Sequence, residues 1–281
     1  LKESQKRDFG YEYGRSLDDR DPQTIVKMLP VWEWLYRYYF RVTTDGWENI
    51  PSTGQFLFVG THNGGMAAPD MSMMMYDWFT RFGTERVVYG LMHPKALLLS
   101  PPISQLAVKV GAVVAHPKLA LEAFQRNASV LVYPGGIQDV FRPFYRRDKI
   151  EFANRKGFIK LALRQGVPII PLISKGAHDT LFVLGDCYEQ AKQLNSWGMP
   201  WFMDIDPEVL PIYLGLPWGI GVGPLLNIPL PVPIHTRVCP PIVFERYGKA
   251  ASLDRAYVDA CYDEVVTIMQ GELDRLFAEK E

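Results

Sequence analysis

The sequence predicts an α/β fold, a central mixed, largely parallel sheet flanked by helices, with an aromatic helix near the N-terminus. Helix-patterned and strand-patterned stretches alternate along most of the 281 residues, the order that layered α/β domains produce. The strand runs are short and apolar, as in Gln55 to Gly60, Ser129 to Tyr133 and Val167 to Ile173, which suits strands buried on both faces. Hydrophobic residues make up 48 % of the chain, enough to fill a core of this size. The expected organisation is an N-terminal arm, residues 1–23, and a single domain, residues 24–281.

Residues 1–22 are charged and aperiodic and read as an arm that orders by docking. Thr24 to Phe40, with Trp32, Trp34, Tyr36, Tyr38 and Tyr39, predicts a helix. Its amphipathic aromatics suit either a membrane interface, with Lys27, Arg37 and Arg41 toward headgroups, or packing on the sheet. A short strand over Arg41 to Thr44, a turn at Asp45-Gly46 and a buried strand over Gln55 to Gly60 follow. That strand delivers Thr61-His62 into a loop, and Pro69 opens the next helix, which continues over Met71 to Phe79.

The alternation then repeats: strand Val87 to Leu91, helix Leu97 to Val110, strand Gly111 to Ala115, helix Lys118 to Asn127, and a strand over Ser129 to Tyr133 stopped by Pro134-Gly135-Gly136. Gly157 to Gln165 predicts a helix capped by Gly166 and followed by a core strand, Val167 to Ile173. His178 to Tyr213 is mixed, and in the apolar run Leu214 to Ile234 prolines 217, 224, 229, 231 and 233 forbid a helix. Arg237 to Glu245 reads as an edge strand and Leu253 to Phe277 as a terminal amphipathic helix.

A net charge of -1 argues against a nucleic-acid partner. Cys187, Cys239 and Cys261 have neither zinc nor redox spacing, so buried thiols in a reducing compartment are expected. No signal peptide opens the chain and no apolar run is long enough to span a bilayer. The chain begins at Leu1 rather than Met, which leaves room for an anchor upstream.

His62 stands out among the five histidines because it follows a buried strand, next to Gly64 and Gly65 and ahead of Asp70. Loops held by a rigid sheet collect catalytic groups. A histidine with an ordinary pKa of about 6.5 can take a proton from a hydroxyl, and a carboxylate can orient it. His62 is therefore the candidate base and Asp70 the candidate orienting acid.

The order of these pieces resembles the glycerolipid acyltransferase superfamily of lysophosphatidate and diacylglycerol acyltransferases. The likeness runs from about Arg41 to Glu245 through Thr61-His62 to Asp70, Gly111 to Ala115, Val132-Tyr133-Pro134-Gly135-Gly136 and Gly166 to Pro171. It implies that fold, and an O-acyltransferase in which His62 activates an acceptor hydroxyl and the acyl group passes directly from its thioester. The implied partners are a fatty acyl thioester, carried by CoA or by acyl-carrier protein, a lipid alcohol and a membrane surface at its cytoplasmic face. No metal or redox cofactor is expected. Backbone amides at Gly64, Gly65, Gly135 and Gly136 are candidates for the oxyanion, and Tyr133 and Pro134 for the substrate wall. Arg142, Arg146 and Arg147 lead a basic band that suits phosphates or headgroups, or else a solvated face balanced by Asp139, Asp148 and Glu151.

The family usually separates its His and Asp by five positions, whereas here the separation is eight and Ala67 occupies the usual Asp place. Eight residues of straight helix would span about 12 Å, so pairing requires Asn63-Gly64-Gly65 to fold back. Gly135 and Gln138 stand where lysophosphatidate-type enzymes carry Glu and a phosphate-binding Arg, and His116-Pro117 lacks the second block's Arg. The missing guanidinium positions and the Tyr-Pro-Gly-Gly form point to a neutral acceptor such as diacylglycerol or a long-chain alcohol. Lysophosphatidate acylation, thioester hydrolysis and non-catalytic lipid binding on the same fold are the alternatives. The apolar run Leu214 to Ile234 is expected near the lipid entrance.

Overall fold

The computed structural model describes residues 13–98, 100–201 and 206–279. The first twelve residues of the expected arm lie outside it.

The strands are β1 (Thr43–Asp45), β2 (Leu57–Gly60), β3 (Val88–Met92), β4 (Ala112–Val114), β5 (Ser129–Val132), β6 (Ile169–Lys175), β7 (Phe182–Asp186), β8 (Pro211–Gly215), β9 (Gly219–Val222) and β10 (His235–Val238). Seven form one sheet in the order β1-β10-β6-β2-β5-β3-β4, and β7-β8-β9 form a second, antiparallel sheet. In the large sheet only β10 against β6 is antiparallel, so the sheet is mixed and largely parallel, as the alternating pattern predicts.

The helices are α1 (Pro22–Trp34), α2 (Pro69–Phe82), α3 (Pro101–Lys109), α4 (Pro117–Gln125), α5 (Gly136–Val140), α6 (Gly157–Gln165), α7 (Tyr188–Ser196), α8 (Lys249–Leu253) and α9 (Arg255–Ala278). Proline opens four of them, where its fixed φ helps and its missing N–H costs nothing. Among the described residues no helix is long and apolar enough to cross a membrane.

Strand β2 shows how the layers form. Its side chains alternate: Leu57 and Val59 join a core with Phe124, Ile159 and Val265 from α4, α6 and α9, while Phe58 joins one with Trp32 from α1 and Met73 and Trp78 from α2. Helices therefore cover both faces, and each fully buried large apolar side chain contributes about 1.5–3 kcal/mol. Ahead of α1, Leu17 is buried in the first of these cores and its carbonyl accepts from the Tyr89 hydroxyl at 3.0 Å.

Three local expectations are corrected. The helix expected over 97–110 is interrupted: a short turn over Pro94–Leu98 precedes α3, because Pro101-Pro102 cannot continue a helix begun upstream. The expected edge strand at Arg237 is interior, since β10 lies between β1 and β6. Asp45, expected in a turn, closes β1 and accepts from Arg237 Nε at 2.7 Å and Nη2 at 2.8 Å, tying the true edge strand to β10.

Candidate active site

His62 lies just past the C-terminal end of β2, beside parallel neighbours β5 and β6. Open α/β sheets place ligands at this end of their strands. Tyr133 follows β5, and its ring stacks on the imidazole with centroids 4.5 Å apart at 22°. The close approach needs Gly60, because a Cβ there would lie 2.4 Å from a Tyr133 ring carbon. The Pro134 and Gly135 carbonyls accept from Arg155 Nη1 at 3.1 and 2.8 Å, which fixes the turn below Tyr133.

The loop after His62 folds back through left-handed backbone at Gly64 (φ 78), Gly65 (φ 68) and Ala68 (φ 41), and so returns Asp70 to the strand end. It does not give the expected hydrogen-bonded His62–Asp70 pair. Asp70 begins α2, and its Oδ1 accepts from the Met71 amide at 2.9 Å. Its Oδ2 accepts from Asn63 Nδ2 at 2.9 Å, while His62 Nδ1 is buried with no partner. Asn63 thus projects toward the carboxylate in the place expected for the imidazole. Asp70, Tyr133, Thr61, Met74, Ser174 and Thr236 line a cavity of about 10 Å³, close to the volume of one water probe.

A buried ion pair holds the His62 main chain. The His62 N–H donates to Asp139 Oδ2 at 2.5 Å, and Arg142 Nη1 donates to the His62 carbonyl at 3.0 Å and to Asp139 Oδ1 at 2.7 Å. Arg142 Nη2 donates to Asn63 Oδ1 and to the Arg147 carbonyl, and Nε to the Arg146 carbonyl. His178 packs against this pair with Nε2 2.8 Å from the Arg142 carbonyl.

Burial, with help from the nearby Arg142 charge, lowers His62 to about 4, so the imidazole is neutral at pH 7 and able to accept a proton. Burial raises Asp70 to about 7, against the bonds from Asn63 and Met71. Burial likewise raises Asp139 to about 7, and the facing guanidinium and the His62 amide oppose the shift. Among the described residues no group of three or more His, Cys, Asp or Glu side chains is placed to hold a metal ion.

The sequence model of the family described as Diacylglycerol acyltransferase matches residues 20–272. The chain belongs to the diacylglycerol acyltransferase family. Uncharacterized proteins of Mycobacterium tuberculosis and Mycobacterium leprae are each 26 % identical to it, over 251 and 249 residues. Each alignment takes in 89 % of this chain but only 65 % and 64 % of those relatives, so the chain spans just under two thirds of their length. Phytyl ester synthase 2, chloroplastic, of Arabidopsis thaliana is 27 % identical over 154 residues, 51 % of this chain and 21 % of that protein. The crystal structure of the 1-acyl-sn-glycerophosphate (LPA) acyltransferase PlsC from Thermotoga maritima aligns with a TM-score of 0.49 at 15 % identity, covering 92 % of this chain and 81 % of that one.

In this diacylglycerol acyltransferase family member the basic band divides. Arg142 is only 3 % exposed and all three of its guanidinium nitrogens are bonded within the protein, so the expectation that it meets phosphates or headgroups is corrected. Arg146 pairs with Glu151, and Arg147 lies 3.5 Å from Asp179 and over the Phe144 ring at 4.4 Å. Both remain partly exposed. Asp139, expected to balance a solvated face, is fully buried.

The four expected oxyanion glycines are packed against protein. A Cβ at Gly64 would meet Thr180, Pro69 and Ala177, and one at Gly65 would meet Leu181 and Asn227. At Gly135 it would meet Glu151 and Asp139, and at Gly136 it would meet Arg155. Glycine is needed there for the chain's own close packing, and the Gly136 amide already donates to the Tyr133 carbonyl at 3.1 Å. Sequence reasoning missed Asn63, Asn227 and His178 as parts of the site, and misread Asp139. The i, i+3 spacing of Asp139 and Arg142 was the available signal.

Proposed function

We propose that this chain is an O-acyltransferase that moves a fatty acyl group from a thioester donor, acyl-CoA or acyl-carrier protein, to the hydroxyl of a neutral lipid such as diacylglycerol or a long-chain alcohol. The observation that carries the reading is a neutral histidine at a parallel strand end, pinned through its main chain, in a member of the diacylglycerol acyltransferase family.

In the proposed reaction the imidazole of His62 takes the acceptor's hydroxyl proton as the oxygen attacks the thioester carbonyl. The tetrahedral oxyanion collapses with loss of the thiolate, which takes the proton back from the imidazolium. Ester and free thiol leave, and the histidine is restored. Asp70 stabilises the transient cation through space, across Asn63. Tyr133 holds the ring plane by stacking.

Two observations support a neutral acceptor. Gly135 and Gln138 stand where an acidic residue and a phosphate-binding arginine would serve lysophosphatidate, and Arg142 turns inward to the His62 carbonyl. A relative named phytyl ester synthase also supports ester formation on a long-chain alcohol. Arg146 and Arg147 are assigned to the donor's phosphates or to membrane headgroups, at the cytoplasmic face.

The test is labelled acyl-CoA or acyl-carrier protein offered with diacylglycerol, a long-chain alcohol or lysophosphatidate, comparing wild type with His62→Ala. Ester formed on the neutral alcohols and lost in the variant is the expected result. Preference for lysophosphatidate overturns the acceptor, equal rates in both proteins overturn the base, and lipid binding without turnover makes the chain a lipid-binding protein.

A further inference from the structure

The outer face of the β7-β8-β9 sheet breaks the usual rule for an antiparallel sheet, apolar inward and polar outward. Val183 and Tyr213 point inward against Val140, Phe141 and Leu181, and Tyr213 packs where Gly221 leaves room. The opposite face is also apolar: Phe182, Leu214 and Ile220 form one cross-strand row, and all three are exposed, Ile220 by 70 %. Exposed apolar patches of this kind mark a surface that meets another apolar phase.

The patch runs on toward α1. The Ile228 amide donates to the Leu216 carbonyl at 2.8 Å, and Trp218 Nε1 donates to the Leu226 carbonyl at 2.8 Å. Next to Ile228, the Pro229 carbonyl accepts from the Tyr39 hydroxyl at 2.7 Å, and the Tyr39 ring lies 5.9 Å from Trp34. Trp34, Leu216, Trp218 and Ile228 are all at least half exposed.

We infer that this continuous face, from Ile220 through Trp218 and Ile228 to Trp34, docks on a bilayer of net-neutral lipid and presents the site to membrane-dissolved acceptor. The inference rests on the acyltransferase reading for why a bilayer is needed. Chemistry selects the occupant. Residues 209–234 contain no Asp, Glu, Lys, Arg or His, and their side-chain hydrogen-bonding groups are those of Tyr213, Trp218 and Asn227 alone. Tyr213 is buried, the Trp218 N–H is already used, and Asn227 is turned inward.

A specific protein interface carries about one hydrogen bond per 100–200 Å². This face has almost nothing to offer one, whereas a bilayer's hydrocarbon asks for none. Tryptophan is suited to the boundary layer. The charges that border the face are of both signs: Arg41 Nη2 donates to the Pro231 carbonyl at 2.9 Å and Arg147 lies over the Phe144 ring beside Phe182, while Asp206 and Glu208 precede the uncharged run. The apolar side chains, rather than a single-sign charge, therefore commit the face to bilayer hydrocarbon.

The face is wired to the His62 loop. Asn227 Nδ2 donates to the Gly64 carbonyl at 3.1 Å, and Asn227 Oδ1 accepts from the Ala67 amide at 3.2 Å. Leu181, which leads into β7, fills the space beside both Gly65 and Gly215. A lipid whose body stays in the bilayer below this face therefore has the His62 loop as its nearest catalytic neighbour.

The experiment is flotation with phosphatidylcholine vesicles at low and high salt, for wild type, His62→Ala, Ile220→Ser and Trp34→Ser, with circular dichroism to confirm folding. Wild type and His62→Ala are expected to float equally at both salt concentrations. Each surface variant is expected to lower the vesicle partition coefficient about tenfold, the scale of losing one large apolar contact. The two variants sit on separate elements, so misfolding of one leaves the other as the test.

Wild type that does not float, flotation abolished by salt, or surface variants that float like wild type each overturn the inference. So does a dimer that Ile220→Ser converts to monomer without vesicle binding, since a second copy would then cover the face. Because His62→Ala needs no turnover to float, flotation without any turnover by wild type sinks the acyltransferase reading alone. Turnover in detergent without flotation sinks the docking surface alone.

Discussion

Asp139 holds the main chain of His62, with its Oδ2 2.5 Å from the His62 nitrogen, while the imidazole stacks on the Tyr133 ring. Arg142 closes the other side of the residue by donating to its carbonyl. Both peptide planes flanking the candidate base are thus tied to one buried ion pair from the segment after β5. A site built this way places its base by backbone position, and its accuracy depends on Asp139 and Arg142 as a unit.

Asp139→Asn keeps the shape and removes the charge. It leaves the Arg142 guanidinium buried among carbonyls with no counter-ion. Removing one partner of a buried pair costs about 3–5 kcal/mol, so at pH 8, above the value of about 7 that burial gives Asp139, the denaturant midpoint should fall by that equivalent and turnover should fall with it. Asp139→Leu combined with Arg142→Met should recover part of the stability and none of the activity. An unchanged midpoint in Asp139→Asn would contradict the ion-pair account.

Gly64→Ala should be more damaging than Gly166→Ala, although both sites are left-handed, with φ 78 and 68. The strain of a left-handed alanine, about 1–3 kcal/mol, is common to both. At Gly166 the space for a Cβ is open, whereas at Gly64 the new atom would sit 2.5 Å from Thr180 Oγ1 and 2.8 Å from the Ala177 carbonyl. Thermal unfolding of the two variants measures the difference. Equal melting temperatures would mean that the loop gives way without cost.

The parallel sheet was legible because its strands are short apolar runs that end in turn residues, and Gly157 to Gln165 was legible to the residue because Gly166 caps it at φ 68. His62 could be found for the same reason: a strand-end glycine loop is a local pattern. Its supports could not. Asp139 and Arg142 look like one more pair in a charged surface stretch, and only the tertiary fold shows that the pair is buried beneath a loop nearly eighty residues away. The interior position of β10 was hidden because sequence spacing does not say which strand lies outside it. Pairing of His62 with Asp70 was expected from the family order. It failed because Asp70 is committed to the first turn of α2 and to Asn63.

The pH dependence of kcat/KM should separate the imidazole from the carboxyls. With His62 lowered to about 4 by burial, the base stays competent far below the usual histidine range, and its acid limb should appear near pH 4. An inflection near 7 then belongs to Asp70 or Asp139, and Asp70→Asn should remove the share due to Asp70. A single inflection at about 6.5, unmoved by Asp70→Asn, would show an ordinary, solvated histidine and overturn the buried-base account.

Stability against pH should show two opposite slopes. His62 and His178, lowered to about 4 and about 3 by burial, contribute stability that is present above the unfolded value of 6.5 and is lost as pH falls toward their folded values. Asp70 and Asp139, both raised from 3.8 to about 7, have the reverse sign: the folded protein prefers their protonated forms, so their contribution is full below 3.8 and is lost as pH rises through 7. The slopes offset each other in the wild type between about pH 4 and 6.5. Asp70→Asn removes the Asp70 share of one of them while still offering an oxygen to Asn63 Nδ2. The variant should therefore gain stability relative to wild type as pH rises from 4 to 8, reaching on the order of 4 kcal/mol, read as the difference between denaturant midpoints. A difference that stays flat across that range would mean that Asp70 is ionised in the folded protein throughout. The carboxylate would then be charged at neutral pH and the cation formed on His62 would have a full counter-charge close by.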